Sequence, residues 1–342
     1  MSVVKVVDPG IYTTIQDIGR YHYQKSGIPV NGAMDAFSCK VANILVGNSE
    51  DEACFEATLV GPELQFDSDM YIAVTGADIS PNLNGKEIEM WVALKVSRGD
   101  ILSFGTVKSG CRCYISVSGG LDVPVVMGSR STYVRGKIGG YEGRILKAGD
   151  QINTGQKVGK CAILVKLPEN FIPIYKNEIT VRVIPGPQDD YFTKEGIKTF
   201  ISFEYCVTNE ADRMGYRLDG PKITHINGAD IVSDGITIGS IQIPGNGLPI
   251  IMMADRQTTG GYTKIATIIT PDIDHVAQLK PGDKIRFKPI TIEEAYEVYR
   301  QYILKLENIS SLALLKYDVV STKLYKVRVN SKEYEVLVEE IK

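Results

Sequence analysis

Histidine is scarce in this 342-residue chain: only His22, His225 and His275 occur. No two stand at helical i, i+4 spacing, so a metal site is not expected, and a Ser-His-Asp triad has few candidates for its base. The six cysteines (Cys39, Cys54, Cys111, Cys113, Cys161, Cys206) form no C-x-x-C. A chain of this length has no need of disulfide staples. No apolar run approaches the ~18 residues that span a bilayer. The Met1–Asp8 start is apolar too briefly, before Pro9-Gly10, to be a signal-peptide core; a cytoplasmic protein is expected. The formal net charge of -3 gives no field that favours nucleic acid or an anionic membrane. Nucleotide signatures are missing too: there is no G-x-x-x-x-G-K-[ST] and no G-x-G-x-x-G behind a strand.

What remains is an ordinary globular composition, 44% hydrophobic and 23% charged, long enough for about two domains. Short β-branched or aromatic runs, such as Met70–Val74 and Cys161–Val165, are bounded by Gly, Pro, Asn or Asp and read as strands. Cys111 and Cys113 alternate in the run Cys111–Val117 and share one strand face, as small core residues. Asn84-Gly85 is a hairpin turn signal, and the abundant glycine, 33 residues, fits many turns that need positive φ. Helices are few. One runs over Ala36–Val46 with Asp35 as its cap and Gly47 after its end. Another runs from Ile292 to about Leu306 behind Thr291, with Glu293-Glu294 in its first turn. The alternating segment 325–338 reads as a terminal hairpin around Asn330-Ser331.

Two echoes suggest a repeated lobe. Val4–Gly10 resembles Val181–Gly186, and Leu146–Ile152 resembles Leu279–Ile285. The plainer reading is that Pro-Gly and Gly-Asp turns are reused wherever strands reverse. The polar break at Leu167–Asn170 separates two halves. The expected division is an N-terminal β lobe over 1–167, a C-terminal β lobe over 168–290 and a helix-plus-hairpin extension over 291–342.

Three glycine-rich polar stretches carry the candidate chemistry. The sharpest is Asp255–Tyr262, at the end of the apolar run Pro249–Ala254. It brings a cation (Arg256), an amide (Gln257) and two hydroxyls (Thr258, Thr259) together, and Gly260-Gly261 lets backbone N–H groups approach a ligand. Arg256 can grip a carboxylate by two bonds, and Asp255 can act as a base or simply hold Arg256. The plain alternative is a solvated turn with an internal ion pair. The second stretch joins Gln16, Asp17 and Arg20 to Ser26–Asp35. The third joins Gln188, behind Pro185-Gly186-Pro187, to Asp212-Arg213. Asp/Arg pairs beside glycines suit an oxyanion or carboxylate, although a single pair is more often a surface salt bridge of small worth. Gly128–Thr132 looks like a diluted copy of the first stretch, which makes Arg130 a counterpart of Arg256.

Eight segments, taken in order, resemble the motif series of one family: Thr14–Arg20, Gly32–Asp35, Ala42–Asn48, Gly119–Pro124, Gly128–Thr132, Pro185–Gln188, Asp212–Arg217 and Asp255–Tyr262. It is the biotin-dependent carboxyltransferase family that includes the second subunit of allophanate hydrolase, KipA and PxpC, a 5-oxoprolinase component. The likeness spans roughly residues 3 to 290 and leaves the tail outside. It implies a mainly β fold of two cyclophilin-like β-barrel lobes with few helices, followed by the helix-and-hairpin tail. It also implies a smaller KipI-like partner, PxpB. With a LamB/YcsF-like PxpA subunit, that pair converts 5-oxo-L-proline to L-glutamate using ATP. Two other roles occur in the family. One is carboxyl transfer from carboxybiotin to urea, and the other is KipA-type binding of a KipI-like kinase inhibitor. A chain without a fused carboxylase favours the oxoprolinase role, and with no Met-Lys-Met motif no covalent biotin is expected. Within these motifs the expected catalytic groups are Asp255, Arg256 and Asp35, and the resemblance itself does not say which residue is a base. Gln257, Thr258, Thr259, Gly260, Arg20, Gln16, Arg130, Gln188 and Arg213 are the substrate-binding groups. ATP is used by the complex, with no common nucleotide loop in this chain.

Overall fold

A computed structural model describes residues 2–155, 166–313, 319–329 and 332–341. The expected Cys161–Val165 strand and the Asn330-Ser331 turn lie outside the described residues. The first half supplies β1 (Val3–Asp8), β2 (Tyr12–Gln16), β3 (Cys54–Thr58), β4 (Glu63–Phe66), β5 (Met70–Asp78), β6 (Pro81–Leu83), β7 (Lys86–Glu87), β8 (Ala93–Val96), β9 (Ile101–Phe104), β10 (Ser109–Val117) and β11 (Gln151–Asn153). One sheet runs β11-β1-β4-β9-β6-β7 and the other β2-β3-β10-β5-β8. Their apolar faces meet in one core, where Val4, Leu64 and Phe66 pack with Ile15, Phe55, Ile72 and Ile115. Cys113 lies in that core, as expected of a small strand residue.

Strand alternation decides what the other face of the second sheet carries. Antiparallel register aligns Ile15 with Phe55 and Phe55 with Ile115, all turned to the core. The intervening rungs are polar: Tyr12–Thr58–Arg112 and Thr14–Glu56–Tyr114. Side chains on these rungs point away from the first core and toward the second half of the chain.

The second half forms a closed barrel from β12 (Glu178–Pro185), β13 (Tyr205–Val207), β14 (Gly215–Asp219), β16 (Ser240–Gln242), β17 (Ile250–Met252), β19 (Lys264–Ile268) and β20 (Lys284–Pro289). The parallel pairing of β12 with β20 is part of that ring. A separate flap pairs β15 (Asp230–Gly235) with β18 (Thr259–Tyr262). The barrel core takes in Met34 from the first half, so the loop before the first helix plugs the junction.

Four helices occur among the described residues: α1 (Ala36–Leu45), α2 (Lys194–Ser202), α3 (Thr270–Val276) and α4 (Ile292–Ala313). Asp35 caps α1 as expected, accepting from the Ser38 amide at 2.9 Å. α2 and α3 were not legible in the sequence. α2 buries only Gly196 and Phe200, and α3 has just 7 residues, opening on Thr270-Pro271, so neither leaves a clear periodic stripe. α4 continues past Leu306 to Ala313, and Leu306 and Ile309 pack on Phe37, Val41, Leu45 and Trp91. β21 (Val319–Val329) and β22 (Lys332–Ile341) pair only with each other.

The Asn84-Gly85 turn has φ of 52° and 78°, the left-handed pair that a two-residue hairpin requires. The Leu146/Leu279 echo is one turn used twice. Asp150 accepts from the Lys147 amide at 2.7 Å and Asp283 from the Lys280 amide at 3.0 Å, behind glycines at φ 91° and 92°. A third copy stands at Ser97–Asp100, where the Ser97 amide reaches Asp100 at 2.7 Å and Gly99 has φ 92°. Because this copy lies outside the echoing pair, reuse of a strand-reversal turn accounts for the echo.

Candidate functional site at the junction of the two halves

The polar face of the second sheet meets the barrel through Arg213, on the loop before β14. Its guanidinium lies between two acids. Nε and Nη2 donate to Asp255 at 3.1 and 3.0 Å, Nη1 donates to Glu56 of β3, and Nη2 also reaches the Gly32 carbonyl at 2.6 Å. Arg213, Glu56 and Asp255 are 5%, 1% and 7% exposed. Burial alone would pull the Arg213 guanidinium down, but Asp255 and Glu56 outweigh it and hold it above its ordinary value. The network continues in both directions. Asn31 donates to Asp255 at 2.9 Å and accepts from Arg20 at 3.0 Å. Glu56 also accepts from the Met34 amide and the Tyr114 hydroxyl, both at 2.8 Å.

Arg20 is fully buried, its remaining donors on the Val126 and Ser131 carbonyls at 2.9 Å each. Burial lowers its pKa, partly offset by Asp17 and Asp255. Gly32, at φ 89°, stands where a Cβ would come within 2.9 Å of Gly19 Cα; the two loops touch backbone to backbone there. The structure places Asp35 elsewhere than in an open site. Its carboxylate accepts from the Ser38 amide and hydroxyl, Tyr175 and Gln278. It is inaccessible to solvent, and burial raises its pKa against those four hydrogen bonds. It serves as a helix cap there.

Gln16 is also buried, donating to Thr14 and to the Thr132 carbonyl at 3.0 and 3.2 Å, with its Oε1 unpartnered. The Arg130 amide donates to Asp17 at 2.5 Å, and its guanidinium lies 3.5 Å from Glu52. Asp17 additionally accepts from Ser129 and Ser131, so this second stretch knits loops together.

Asp255 and Arg256 diverge although they are neighbours in sequence. Asp255 faces Arg213, whereas Arg256 donates to the Ile236 and Met253 carbonyls at 3.2 Å each. Arg256 is 9% exposed with no salt bridge among the described residues. Burial, opposed by Tyr21 and Asp255, pushes it down to about 10. Thr258 gives its carbonyl to the Ile236 amide at 3.0 Å. Thr259 and Gly260 lie in β18; a Cβ on Gly260 would meet Ile236 at 2.5 Å and Gln242 at 2.8 Å. Gln188 accepts from the Lys264 amide at 3.2 Å, on the β12–β19 side of the barrel.

A cleft of about 340 Å³ opens beside the Arg213 network, lined by Tyr12, Thr58, Arg112, Val134, Arg135, Ala211, Asp212, Arg213, Met214 and Asp255. The Tyr12–Thr58–Arg112 rung forms one wall and the loop before β14 the other. Gln257 lines an adjoining chamber that shares Arg135, Asp212 and Met214 with the cleft. Sequence reasoning missed Tyr12, Glu56, Arg112 and Lys264. The signal for three of them was a charge inside an apolar strand: Glu56 in Cys54–Thr58, Arg112 in Cys111–Val117 and Lys264 before Ile265–Ile269. A charge so placed is buried only with a partner or a task. Lys264, 3% exposed, reaches Asp234 of the flap at 2.8 Å.

Comparison with known proteins agrees with this architecture. Residues 26–289 match the model of the carboxyltransferase domain, subdomains A and B. The C subunit of Escherichia coli 5-oxoprolinase is 36% identical over 293 residues, covering 86% of this chain and 93% of that protein. The Saccharomyces cerevisiae urea amidolyase is 34% identical over 338 residues, 94% of this chain but 18% of that protein. The crystal structure of the K. lactis urea amidolyase superposes with a TM-score of 0.85 at 32% identity, covering 97% of this chain and 22% of that one. The family model ends at residue 289, before the tail, as expected, whereas the K. lactis structure is matched over 97% of the chain. Among the described residues no helix is long and apolar enough to cross a membrane.

Proposed function

The chain belongs to the carboxyltransferase-domain family, and from that premise we propose that it is the C subunit of a cytoplasmic, ATP-dependent 5-oxoprolinase. In this reading it works with a KipI-like (PxpB) and a LamB/YcsF-like (PxpA) subunit, which together open the lactam of 5-oxo-L-proline to L-glutamate. One observation carries the reading. The chain matches 93% of the length of the E. coli protein, against only 18% of the yeast urea amidolyase. Nearly the whole of that separate subunit is thus matched within this chain.

The lactam carbonyl needs activation before water can open the ring. Groups aimed at the oxygen as charge develops contribute most when they are fixed and desolvated. Arg256 fits that part as a buried cation without an acid. Asp255, held by Arg213 and Asn31, is a fixed carboxylate in the cleft wall rather than a mobile base. The residues lining the cleft do not fit a nucleotide. The space is at the small end of the roughly 300–1,000 Å³ of ligand pockets, and no phosphate-binding loop borders it. In this reading a partner subunit holds ATP.

The test is co-expression with the two partner subunits and an assay of glutamate formed from 5-oxo-L-proline alongside ADP. The complex is expected to form both. Arg256→Ala is expected to lower turnover at least about a hundredfold. Unchanged 5-oxoproline-dependent ATP hydrolysis in that variant would remove Arg256 from the site, and a wild-type complex that makes no glutamate would sink the reading. A second reading is a urea-directed carboxyltransferase. Its support is coverage: the S. cerevisiae urea amidolyase aligns with 94% of the chain, the E. coli protein with 86%. Urea-dependent turnover of a carboxylated biotin donor would favour it.

A further inference from the structure

The junction cleft contains two hydrogen-bond donors left without a protein acceptor. Arg112 is 4% exposed, and its Nη1 donates to the Tyr216 hydroxyl and to the Ala277 carbonyl at 2.6 Å. Its Nε is buried and has no partner. Tyr12 lies on the same rung, both residues being paired with Thr58 on the intervening strand. The Tyr12 hydroxyl makes no hydrogen bond among the described residues, and burial raises its pKa, which keeps the proton available to donate. An unpaired buried donor costs more than a made hydrogen bond returns, so the Arg112 Nε–H, beside the half-buried and unpaired Tyr12 hydroxyl, calls for a ligand.

The charges say what kind. Three arginines and two aspartates line the cleft. Arg213 is neutralised by Asp255 at 3.0 Å, and Arg135 lies 3.4 Å from Asp212. Arg112 alone of the three has no acid within salt-bridge distance among the described residues. The cation is held in place by the Tyr216 hydroxyl and by that ring, whose centroid is 5.7 Å from its guanidinium carbon. One uncompensated cation suits one monoanion. Val134, Ala211 and Met214 supply an apolar side for a small ring or chain.

We propose that Arg112 Nε–H and the Tyr12 hydroxyl receive the carboxylate of a small monocarboxylic acid bound in this cleft. Resting on the oxoprolinase reading, that acid is 5-oxo-L-proline, and the two residues decide between the acid and its uncharged analogue. Tyr12→Phe removes one atom that holds nothing in the protein, so the fold is undisturbed. It is assayed in the co-expressed complex against 5-oxo-L-proline, with 2-pyrrolidinone, which lacks the carboxylate, as the competing inhibitor.

Tyr12→Phe is expected to raise KM for 5-oxo-L-proline about tenfold or more. The inhibition constant of 2-pyrrolidinone should stay within about twofold and the thermal midpoint should not move. Arg112→Lys keeps the charge and discards Nε; it is expected to shift the same ratio. Wild-type turnover with an unchanged KM in Tyr12→Phe overturns the assignment of these residues while leaving the oxoprolinase reading intact. A wild-type complex with no 5-oxoproline turnover overturns both, and the two failures are told apart by the wild-type control.

Discussion

Arg213 and Arg256 are both at least nine-tenths buried at the same end of the barrel, and the structure treats them in opposite ways. Arg213 is held between Glu56 and Asp255 and also bonds the Gly32 carbonyl. Arg256 has only two main-chain carbonyls and a lowered pKa. A cation gripped by acids from both halves of the chain is a clasp. A cation left with carbonyl dipoles is a desolvated charge, which the proposed function assigns to a ligand. The same contrast separates Asp35, saturated by four donors, from Arg112 Nε, which has none. Saturation marks what holds the halves together, and want of a partner marks where a ligand belongs.

The largest effect that can break this contrast is Arg213→Ala. It strands two buried carboxylates, and removing one partner of such a cluster costs about 3–5 kcal/mol. Chemical unfolding of the free chain measures it, and a loss below about 1 kcal/mol would show that Arg213 is no clasp. Arg256→Met should do the reverse. With no acid to strand, replacing the charge by an apolar side chain should be neutral or stabilise by about 1 kcal/mol, while turnover of the complex collapses. That pairing of gained stability with lost activity is expected of a residue kept for function. Its absence would place Arg256 with Arg213.

Much of the scaffold around these arginines was readable from residues alone. Asp35 and Gly47 bracket α1 because capping is local chemistry, and Asn84-Gly85 turns because few other pairs accept two positive φ angles. The candidate site was less legible. Asp255 and Arg256 look like one unit in sequence, yet the chain turns their side chains to different partners. Tyr12 and Arg112 become neighbours only through strand register with Thr58, and register depends on the whole buried face. Likewise, Glu56 and Arg213 come from different halves, so nothing local announces their contact.

A smaller effect tests saturation at a second place. Asp274 of α3 accepts from the Ala36 amide and the Tyr302 hydroxyl, both at 2.8 Å. Burial, then the nearby Asp35 charge, raises its pKa well above the ordinary carboxylate range, and Lys305 of α4 is the cation that faces it. A carboxyl whose folded pKa is raised binds its proton more tightly in the folded state. Its contribution is full below about pH 4 and is lost as pH rises through the folded pKa. Asp274→Asn carries no charge; its Oδ1 can keep the Ala36 amide, while its Nδ2–H donates to the Tyr302 oxygen in place of the bond that Asp274 accepts. It should therefore be more stable than wild type by about 1 kcal/mol at about pH 8, with the difference shrinking toward about pH 4. Unfolding curves at the two pH values check this, and a pH-independent difference would deny the buried charge.

The smallest effect on stability is expected from the tail, which extends the comparison from single groups to a whole element. α4 is saturated in the apolar sense, with Leu306 and Ile309 enclosed by the first half. The β21–β22 hairpin pairs only with itself, and Leu324 and Tyr325 are 60% and 48% exposed. An isolated two-stranded hairpin is marginal in water, so its residues add little to the stability of the rest. Truncation after Ala313 should leave the thermal midpoint within about 1 °C of wild type, an effect inside the few tenths of a kcal/mol expected of surface changes. Stopping before α4 should lower it by many degrees, because the enclosed leucine and isoleucine leave their places empty. If the truncation after Ala313 keeps the midpoint but weakens co-purification with the other subunits, the hairpin belongs with Arg256 among the parts completed by something else. A fall in the midpoint would place it instead with Arg213, among the parts that hold the fold.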